Sequence, residues 1–306
     1  MIRVAIVIVT YNSAAEIDGC LDSLAGLGDA EIVVVDNLSA DDTRARVSKR
    51  DVSLIANTTN AGFAAAVNQG VRATTAPFVL LLNPDAHLLH GLDALIERCR
   101  EPEAGAAGGL LVGRDGTPQA GFMARNLPSA TTLIFEILGI NHLWPGNPVN
   151  WHYRCRGFDP MNLALVDQPA GAFFMFPRKV WERLGGFDER FHPLWFEDVD
   201  FCARIRSAGL RTWYEPAAAA RHAGSHSIGA LSLENREKYW YGNLLEYAAK
   251  HYRPIEVRAI CAAVVAGSIL RVVRGFRREG ARVFEVYGSV VRLAARRFFV
   301  PRQGRV

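Results

Sequence analysis

The sequence predicts an α/β fold in which helices flank a mostly parallel sheet, with a C-terminal helical extension. One observation is a series of short apolar runs at residues 4–9, 32–35, 52–56 and 78–82, which are typical of strands buried on both faces. Another is that segments with helical spacing separate these runs. Strands and helices that alternate in this way form a parallel sheet covered on both sides.

Small polar and acidic residues follow each of the four predicted strands. In chain order they are Thr10, Tyr11 and Asn12, then Asp36, then Asn60 and Gly62, and finally Asn83 and Asp85. Any one of them has an ordinary explanation as a helix cap or turn residue. Four strand ends with the same kind of residue predict one polar rim around a crevice, because ligands of such sheets bind beyond the carboxyl ends of the strands. Neither the glycine-rich dinucleotide motif nor the P-loop motif follows these strands, so the ligand is held in another way.

The chain changes character after residue 112. Residues 113–165 are rich in Gly, Pro, Asn and Trp, which predicts a loop-rich insertion to which no chemistry is assigned. Regular structure returns at residue 166, with a short strand and then a helix that starts near Pro177. The acidic group at residues 197–200 is expected to open the next helix, which Gly209 ends.

The C-terminal residues 251–306 form a basic, amphipathic helical tail in this interpretation. They hold twelve arginines and three glutamates, a net charge of +9, whereas the whole chain of 306 residues carries only +4. Such a tail suggests a polyanionic partner, either a nucleic acid or an anionic membrane surface. The tail has no recognisable nucleic-acid-binding module, so the membrane is favoured and no nucleic acid is expected as a partner. Its longest uncharged run, residues 259–270, is too short to span a bilayer, which predicts a peripheral protein.

The five cysteines are scattered and form no CxxC pair. This argues against a disulfide framework or a zinc knuckle and fits a reducing, cytoplasmic compartment. Together with the basic tail, it predicts a location at the inner face of the cell membrane.

Seven segments in a fixed order resemble the family-2 inverting glycosyltransferases of the GT-A fold, and most of all their bacterial rhamnosyltransferase branch. They are VTYNS, DNLSADDT, NAGFAAAVNQG, NPDA, AGAFFMFPRKVWERLGGFDERF, FEDVDFCARIRSAG and RHAGSHS, spread over residues 3–228. The resemblance implies a Rossmann-like, mixed but mostly parallel sheet. It also implies that residues 1–112 bind a nucleotide sugar and that residues 166–250 bind the acceptor and carry out catalysis.

The resemblance further implies a substrate pair and a cofactor. The donor is a nucleotide sugar of the dTDP or UDP type, with dTDP-rhamnose favoured by overall likeness. The acceptor is a glycan or a polyprenyl-diphosphate-linked sugar in cell-surface polysaccharide synthesis. A divalent cation, Mg²⁺ or Mn²⁺, assists the transfer.

Site roles are carried over position by position from the family. The nucleotide-sugar-binding residues are Thr10, Tyr11, Asn12, Asp36, Asn60, Gly62, Asn68 and Asn83. Asp85 and His222 are the metal ligands, and Asn83 replaces the first acid of the DxD-type motif, which leaves fewer anionic ligands. Asp198 is the catalytic base, and Glu197 is an acceptor-binding group or a substitute base.

The residue types fit this chemistry, because transfer to a hydroxyl needs a proton acceptor and a positive charge for the departing phosphates. At a helix N-terminus the dipole favours an ionised Asp198, whereas the preceding rings of Phe191, Trp195 and Phe196 would exclude water and raise its pKa. We expect an in-line displacement that inverts the anomeric centre. Two alternatives stay open: the acids only cap the helix, or the chain is a non-catalytic nucleotide- or sugar-binding scaffold that its tail recruits to the membrane.

Overall fold

The computed structural model describes residues 3–224 and 231–299 and divides into two compact units. The first unit comprises Met1–Leu127, Arg154–Glu189 and Glu197–Ala230, and the second comprises Pro128–Tyr153, Arg190–Phe196 and Leu231–Val306. The functional division expected at residues 112, 165 and 250 follows other boundaries and stays a prediction. His222 is described, but the rest of the last resembling segment, from residue 225 onward, lies outside the described residues.

All strands of the described residues belong to the first unit. They are β1 (Val4–Thr10), β2 (Ala30–Asp36), β3 (Ser53–Ala56), β4 (Phe78–Leu82), β5 (Ala86–His90), β6 (Ala104–Val112), β7 (Ala124–Arg125), β8 (Ala164–Leu165), β9 (Gln168–Pro169), β10 (Phe173–Pro177) and β11 (Arg211–His222). The main sheet has the order β3-β2-β1-β4-β10-β6-β11-β5, with β8 paired to β11, while β7 and β9 form a separate pair.

The described helices number twelve. They are α1 (Ile17–Asp22), α2 (Thr43–Val47), α3 (Phe63–Arg72), α4 (Leu92–Arg100), α5 (Ala130–Ile137), α6 (Ile140–Leu143), α7 (Pro148–Tyr153), α8 (Arg178–Leu184), α9 (Glu197–Ser207), α10 (Leu233–His251), α11 (Pro254–Glu279) and α12 (Arg282–Phe299). Helices α5–α7 and α10–α12 belong to the second unit. The insertion at residues 113–165 is therefore less loop-rich than its composition predicted, because it contains three short helices.

The predicted mixed, mostly parallel sheet is confirmed. β1 pairs in parallel with β2 and β4, and β2 with β3, whereas β10 runs antiparallel to β4 and β6. Alternate residues of β1 face opposite sides: Ile6 and Ile8 pack with α1 and α4, while Ala5 and Val7 pack with α3 and α8. Helices on both faces thus account for the continuous apolar runs of the central strands.

One predicted strand differs from the expectation of burial on both faces. β3 is the edge strand, and both of its terminal residues, Ser53 and Ala56, are exposed. An edge strand has a single neighbour, so its apolar residues are covered less than those of β1 or β4.

The aromatic segment before the acids belongs to the second unit. Asn243 of α10 donates its amide N–H to the Leu194 carbonyl at 2.7 Å, and the rings of Phe196 and Tyr247 lie 5.5 Å apart. Trp195 and Phe196 have φ angles of 77° and 71°, in the left-handed region that bulky residues rarely adopt. These contacts with α10 hold an otherwise unfavourable backbone in place.

Helix α11 corrects the expectation that the tail is too short to span a bilayer. Within the described residues, its stretch Pro254–Phe276 is the one helical segment long and apolar enough to cross a membrane by length and composition. A third of that apolar window is buried inside the protein, where Ile260 and Val264 are fully covered. The helix therefore also serves as a packing element of the second unit.

Candidate active site

The carboxyl ends of β1, β2 and β3 lie side by side, because the three strands are parallel and in register. Thr10 is the register partner of Asp36, and its hydroxyl donates to the Asp36 carboxylate at 3.3 Å. The loop after β1 is joined to the loop after β2 by Asn12, whose N–H donates to Ser39 Oγ at 2.8 Å and whose Oδ1 accepts from the Ala40 N–H at 2.7 Å. Tyr11, which lies between Thr10 and Asn12 in the chain, has an exposed side chain.

Asp36 is fully buried, and its carboxylate accepts hydrogen bonds from residues that the sequence analysis did not name as well as from Thr10. Arg44 Nε donates to its Oδ2 at 2.5 Å, and the Ser39 N–H donates to the same oxygen at 3.0 Å. Arg44 also reaches the Asn57 carbonyl at 2.7 Å and so joins the loops after β2 and β3. The sequence did not single out Arg44, because charge alone does not distinguish it from its exposed neighbour Arg46.

The loop after β3 is held by a second asparagine that was not singled out. Asn37 donates to Asn60 Oδ1 at 2.9 Å and accepts from the Ala61 N–H at 2.9 Å. Asn60 Oδ1 also accepts from the Gly62 N–H at 3.0 Å. Gly62 precedes α3 with φ 85° and ψ 160°, a conformation that glycine adopts without strain. We call this set of Thr10, Asn12, Asp36, Asn37 and Asn60 the strand-end rim.

Asn68 lies apart from the strand-end rim. It is buried on α3, where its amide N–H groups donate to the Phe187 carbonyl and to Glu189. Its Oδ1 accepts from the Phe187 N–H and from the indole of Trp181. Since all four hydrogen-bonding positions of the amide are used within the protein, the structure gives Asn68 a packing role, and nucleotide binding by it stays a prediction.

The two predicted metal ligands come together because β5 pairs antiparallel with β11. Ala86 is the register partner of His222, so Asp85 lies directly opposite Ala223, whose N–H donates to the Asp85 carbonyl at 3.0 Å. His222 Nε2 is 3.5 Å from Asp85 Oδ1, and both side chains are almost fully buried. Burial raises the pKa of Asp85, but the hydrogen bond and charge of His222 and the Gly224 N–H outweigh it, and the pKa lies below its usual value.

Gln119 fixes which nitrogen of His222 carries a proton. Its Nε2 donates to the His222 carbonyl at 2.9 Å, so its Oε1, which lies 3.0 Å from His222 Nδ1, must accept from that nitrogen. Neutral His222 then has its free lone pair on Nε2, facing the Asp85 carboxylate. Two electron-rich atoms that face each other need either a proton or a cation between them.

The donor set therefore fits a divalent cation. Carboxylate oxygen and imidazole nitrogen both bind Mn²⁺, and a ligand histidine commonly donates its other N–H to an oxygen, as His222 does to Gln119. The pair is small: in the part of the chain that the structure describes, no group of three or more His, Cys, Asp and Glu residues could hold a metal ion. Any remaining ligands would come from the substrate or from water.

The predicted base lies in the first turn of α9. Asp198 Oδ1 accepts from the Val199 N–H at 2.8 Å, and Oδ2 accepts from Gln168 Nε2 at 3.1 Å. A Cβ atom placed on Gly171 would come within 3.3 Å of Oδ2, so this glycine leaves the carboxylate its space. Asp200, by contrast, is fully buried and pairs with Arg204 at 2.8 Å, which agrees with a structural role.

Burial raises the pKa of both neighbouring acids. For Asp198 the Val199 N–H, the Gln168 amide and the positive charge of Arg125 oppose that increase, and its pKa still lies above the usual value. For Glu197 burial and the charge of Asp198 act together, and its pKa is raised well above the usual value. Of the two, Asp198 is thus the carboxylate that the protein keeps closer to the ionised form.

One segment of the insertion connects the metal pair to the base. The ring of Phe122 stacks on the ring of His222, with 5.2 Å between their centroids. The guanidinium of Arg125 lies over the same Phe122 ring, 5.6 Å from its centroid. Arg125 is the register partner of Gln168 in the β7–β9 pair, and its charge acts on Asp198. Residues 119–125, to which the sequence assigned no chemistry, therefore contact both halves of the candidate site.

A second route joins the same two halves through the sheet. The Asn83 N–H donates to the Ala172 carbonyl at 3.0 Å, at the point where β4 ends and β10 begins. Gly171, the residue before Ala172, packs on Asp198. Asn83, two residues before Asp85, thus bonds to the residue that follows Gly171. We call Asp85, His222, Glu197 and Asp198 the acid cluster.

Comparisons with known proteins show the family of the chain. The family model described as glycosyl transferase family 2 matches residues 5–165, and one described as glycosyltransferase like family 2 matches residues 150–243. The chain is 31% identical over 242 residues to the N-acetylglucosaminyl-diphospho-decaprenol L-rhamnosyltransferase of Mycobacterium tuberculosis, over 73% of this chain and 77% of that protein.

Two solved structures establish the fold. One is TarS 1-349 of S. aureus in complex with UDP-GlcNAc, at a TM-score of 0.53 and 16% identity, over 96% of this chain and 83% of that one. The other is the mannosyltransferase PcManGT of Pyrobaculum calidifontis in complex with GDP-Man and Mn²⁺, at a TM-score of 0.53 and 18% identity, over 97% and 86%. The GT-A fold that the sequence motifs implied is confirmed.

Proposed function

Since the chain belongs to glycosyl transferase family 2 and is a glycosyltransferase most similar to the rhamnosyltransferase branch, we propose that it transfers rhamnose from dTDP-rhamnose to a polyprenyl-diphosphate-linked sugar. The observation that carries the proposal is the acid cluster, in which two neighbouring carboxyl groups with raised pKa and a buried carboxylate–imidazole pair are linked through residues 119–125. The Mycobacterium tuberculosis relative is named as an N-acetylglucosaminyl-diphospho-decaprenol L-rhamnosyltransferase, and this name supports the donor sugar and the class of acceptor.

In this reaction Asp198 accepts the proton of the attacking hydroxyl. Two hydrogen bonds fix its oxygens, from Gln168 and from Val199, and the charge of Arg125 favours its ionised form. Partial burial keeps the carboxylate basic enough to accept a proton. Because the base acts on the acceptor and no side chain is needed as a nucleophile, the displacement is a single step that inverts the anomeric centre.

Asp85 and His222 would hold Mg²⁺ or Mn²⁺ beside the donor diphosphate. When bound, such a cation neutralises charge that develops on the leaving phosphates. The protein supplies the Asp85 carboxylate and the Nε2 lone pair that Gln119 orients. The strand-end rim would hold the nucleotide, with Thr10, Asn12 and Asp36 as its predicted contacts.

The second unit supports a peripheral location at an anionic membrane. Val273 and Phe276 of α11 and Phe284 of α12 are 71%, 52% and 55% exposed, and the rings of the two phenylalanines lie 5.6 Å apart. The exposed residues Arg274 and Arg282 lie on the same two helices. Apolar side chains beside arginines suit the boundary between lipid headgroups and acyl chains, where each basic residue contributes roughly 1 kcal/mol.

The transfer itself is tested with the purified full chain, a synthetic N-acetylglucosaminyl-diphospho-polyprenol and a panel of dTDP-, UDP- and GDP-sugars with Mn²⁺. We expect transfer from dTDP-rhamnose, an inverted anomeric centre in the product by NMR, and loss of activity in EDTA. Transfer only from another nucleotide sugar would show that dTDP-rhamnose is not the donor. A retained anomeric configuration in the product would contradict the single-step mechanism. Full turnover in EDTA would show that the reaction needs no divalent cation.

The membrane part has a separate test. The full chain should sediment with vesicles that contain anionic lipid and stay in solution with neutral vesicles. The double variant V273S/F276S changes exposed side chains only, and it should lower the sedimented fraction severalfold without changing the melting temperature. Equal sedimentation of the variant and the wild type would contradict this surface.

A further inference from the structure

Gln168 touches the predicted base but has no role in the sequence-based description of the site. It lies on β9, opposite Arg125 of β7, and is 5% exposed. Its Nε2 donates to Asp198 Oδ2 at 3.1 Å. An ionised carboxylate can only accept hydrogen bonds, so the N–H end of this amide faces Asp198 and its Oε1 points elsewhere.

Two buried oxygens beside the base accept no hydrogen bond from the described residues. They are Gln168 Oε1 and Glu197 Oε2. Glu197 is 7% exposed and directly precedes Asp198 in the chain. A buried acceptor without a donor costs free energy, and folded proteins leave few of them. Here one such oxygen belongs to the residue that bonds to Asp198 and the other to the residue that precedes Asp198, which points to a ligand that brings the missing donors.

We propose that Gln168 positions the base and, together with Glu197, recognises a second hydroxyl of the sugar acceptor next to the attacking one. This rests on the proposed transfer reaction. Gln168 Oε1 and Nε2 are bonded to the same carbon, and Nε2 bonds to the Asp198 carboxylate. Oε1 therefore lies close to the carboxylate that receives the proton. Hydroxyls on adjacent carbons of a sugar ring have a matching separation, and the acceptor class is therefore a sugar with a vicinal diol.

The contact also sets the basicity of Asp198. The titratable and charged groups that face this carboxylate are Glu197 and Cys202 on α9 and Arg125 on β7. Arg125 and the Gln168 N–H favour the ionised carboxylate, whereas burial opposes it. Removing the Gln168 N–H therefore makes protonation of Asp198 easier and moves the acid limb of the activity profile to higher pH.

The test compares wild type with Q168L and Q168E, and with N162A as a control that removes an exposed amide bonded to Asp159. For Q168L we expect a rise in acceptor KM of about 10-fold or more and an acid limb shifted to higher pH, since a hydrogen bond to a charged group is lost. Q168E keeps an oxygen but adds a charge, so its acid limb should lie higher still. N162A should behave as wild type.

An acceptor analogue that lacks the neighbouring hydroxyl tests the recognition part. Wild type should lose about 10- to 100-fold in kcat/KM with this analogue, whereas Q168L should discriminate little between the two acceptors. Unchanged discrimination together with an unchanged acid limb in Q168L would overturn the proposal.

A measurement without turnover separates this proposal from the proposed function. The carboxyl ¹³C shift of Asp198, assigned with D198N, should titrate at higher pH in Q168L than in wild type, whichever donor the enzyme uses. Failure of wild type to transfer rhamnose would count against the donor alone, whereas an unshifted titration in a folded Q168L would count against the positioning role.

Discussion

The strand-end rim and the acid cluster differ in where their polar atoms find partners. In the rim, Asp36 bonds to Thr10, Ser39 and Arg44, and Asn37 bonds to its neighbours, so the loops hold each other in place. In the acid cluster, the Asp85 and His222 acceptor atoms face each other, and one oxygen each of Gln168 and Glu197 has no donor in the described structure. The rim is thus braced by hydrogen bonds within the protein, whereas the proposed cation and acceptor would supply the partners that these atoms of the cluster lack.

Replacing the base should give the largest effect. Asp198→Asn keeps the size of the side chain but cannot accept the proton, so kcat should fall about 10³-fold. Nucleotide binding, measured by calorimetry, should remain because the rim is untouched. A matched control is Asp200→Asn, which breaks the pair with Arg204 and should lower thermal stability more than it lowers catalysis. Substantial turnover by Asp198→Asn would move the base to another residue.

Gln119→Leu tests whether the orientation of His222 matters to the cation. Without the Gln119 oxygen, His222 can place its proton on Nε2, and affinity for Mn²⁺ should fall about 10- to 100-fold. Titration of Mn²⁺ followed by electron paramagnetic resonance measures this directly and needs no turnover. Unchanged Mn²⁺ affinity in a folded variant would show that the hydrogen bond of Gln119 serves packing alone.

Arg44→Met probes the self-contained rim. The buried Asp36 would lose its charged partner, and the free energy of unfolding should fall by about 1–3 kcal/mol, with weaker nucleotide binding and an unchanged kcat. Arg46→Met on the same helix is the control, because Arg46 pairs with Asp18 at the surface and should change stability by less than about 0.5 kcal/mol. Chemical denaturation of both variants measures the difference. Equal losses would remove the distinction between the two arginines.

Glu197→Gln should have the smallest effect and the opposite sign. The folded protein raises the pKa of Glu197, so the folded state binds its proton more tightly than the unfolded chain does. The acid therefore favours folding below its ordinary pKa, and this contribution is lost as pH rises through the raised one. At neutral pH the variant should be more stable by about 1 kcal/mol, and the gain should disappear in acid. Thermal unfolding at several pH values measures it, and a gain that persists in acid would contradict the cause.

The parallel strands and their polar ends were predictable because they depend on local sequence. Apolar runs define β1, β2 and β4, and parallel register then brings Thr10 beside Asp36. The face of a helix is harder to predict: the resemblance implied that Asn68 lines the nucleotide, which stays a prediction, and the structure shows its amide bonded to Phe187. Spacing places a residue on a helix, but it does not tell which side a neighbouring loop will cover.

Gln119, Phe122 and Gln168 could not be found from local sequence. Gln119 meets His222 across 103 positions of the chain, and Gln168 meets Asp198 across 30. Gln168 lies on β9, which pairs with β7, and strands of two residues each carry too little pattern to be recognised. The composition of residues 113–165 predicted irregular structure but did not indicate the three short helices α5–α7.

The short pairing of β7 with β9 gives ligand binding a second consequence. Two residue pairs are too few to be stable alone, so residues 119–125 depend on Phe122 against His222 and on the Ala170–Met123 hydrogen bond. A ligand held by the cluster as proposed would add contacts to this segment and make its local opening rarer. Its amide hydrogens should therefore exchange with solvent more slowly in the loaded enzyme than in the free one, and opening of this ribbon would then be one step in the release of product.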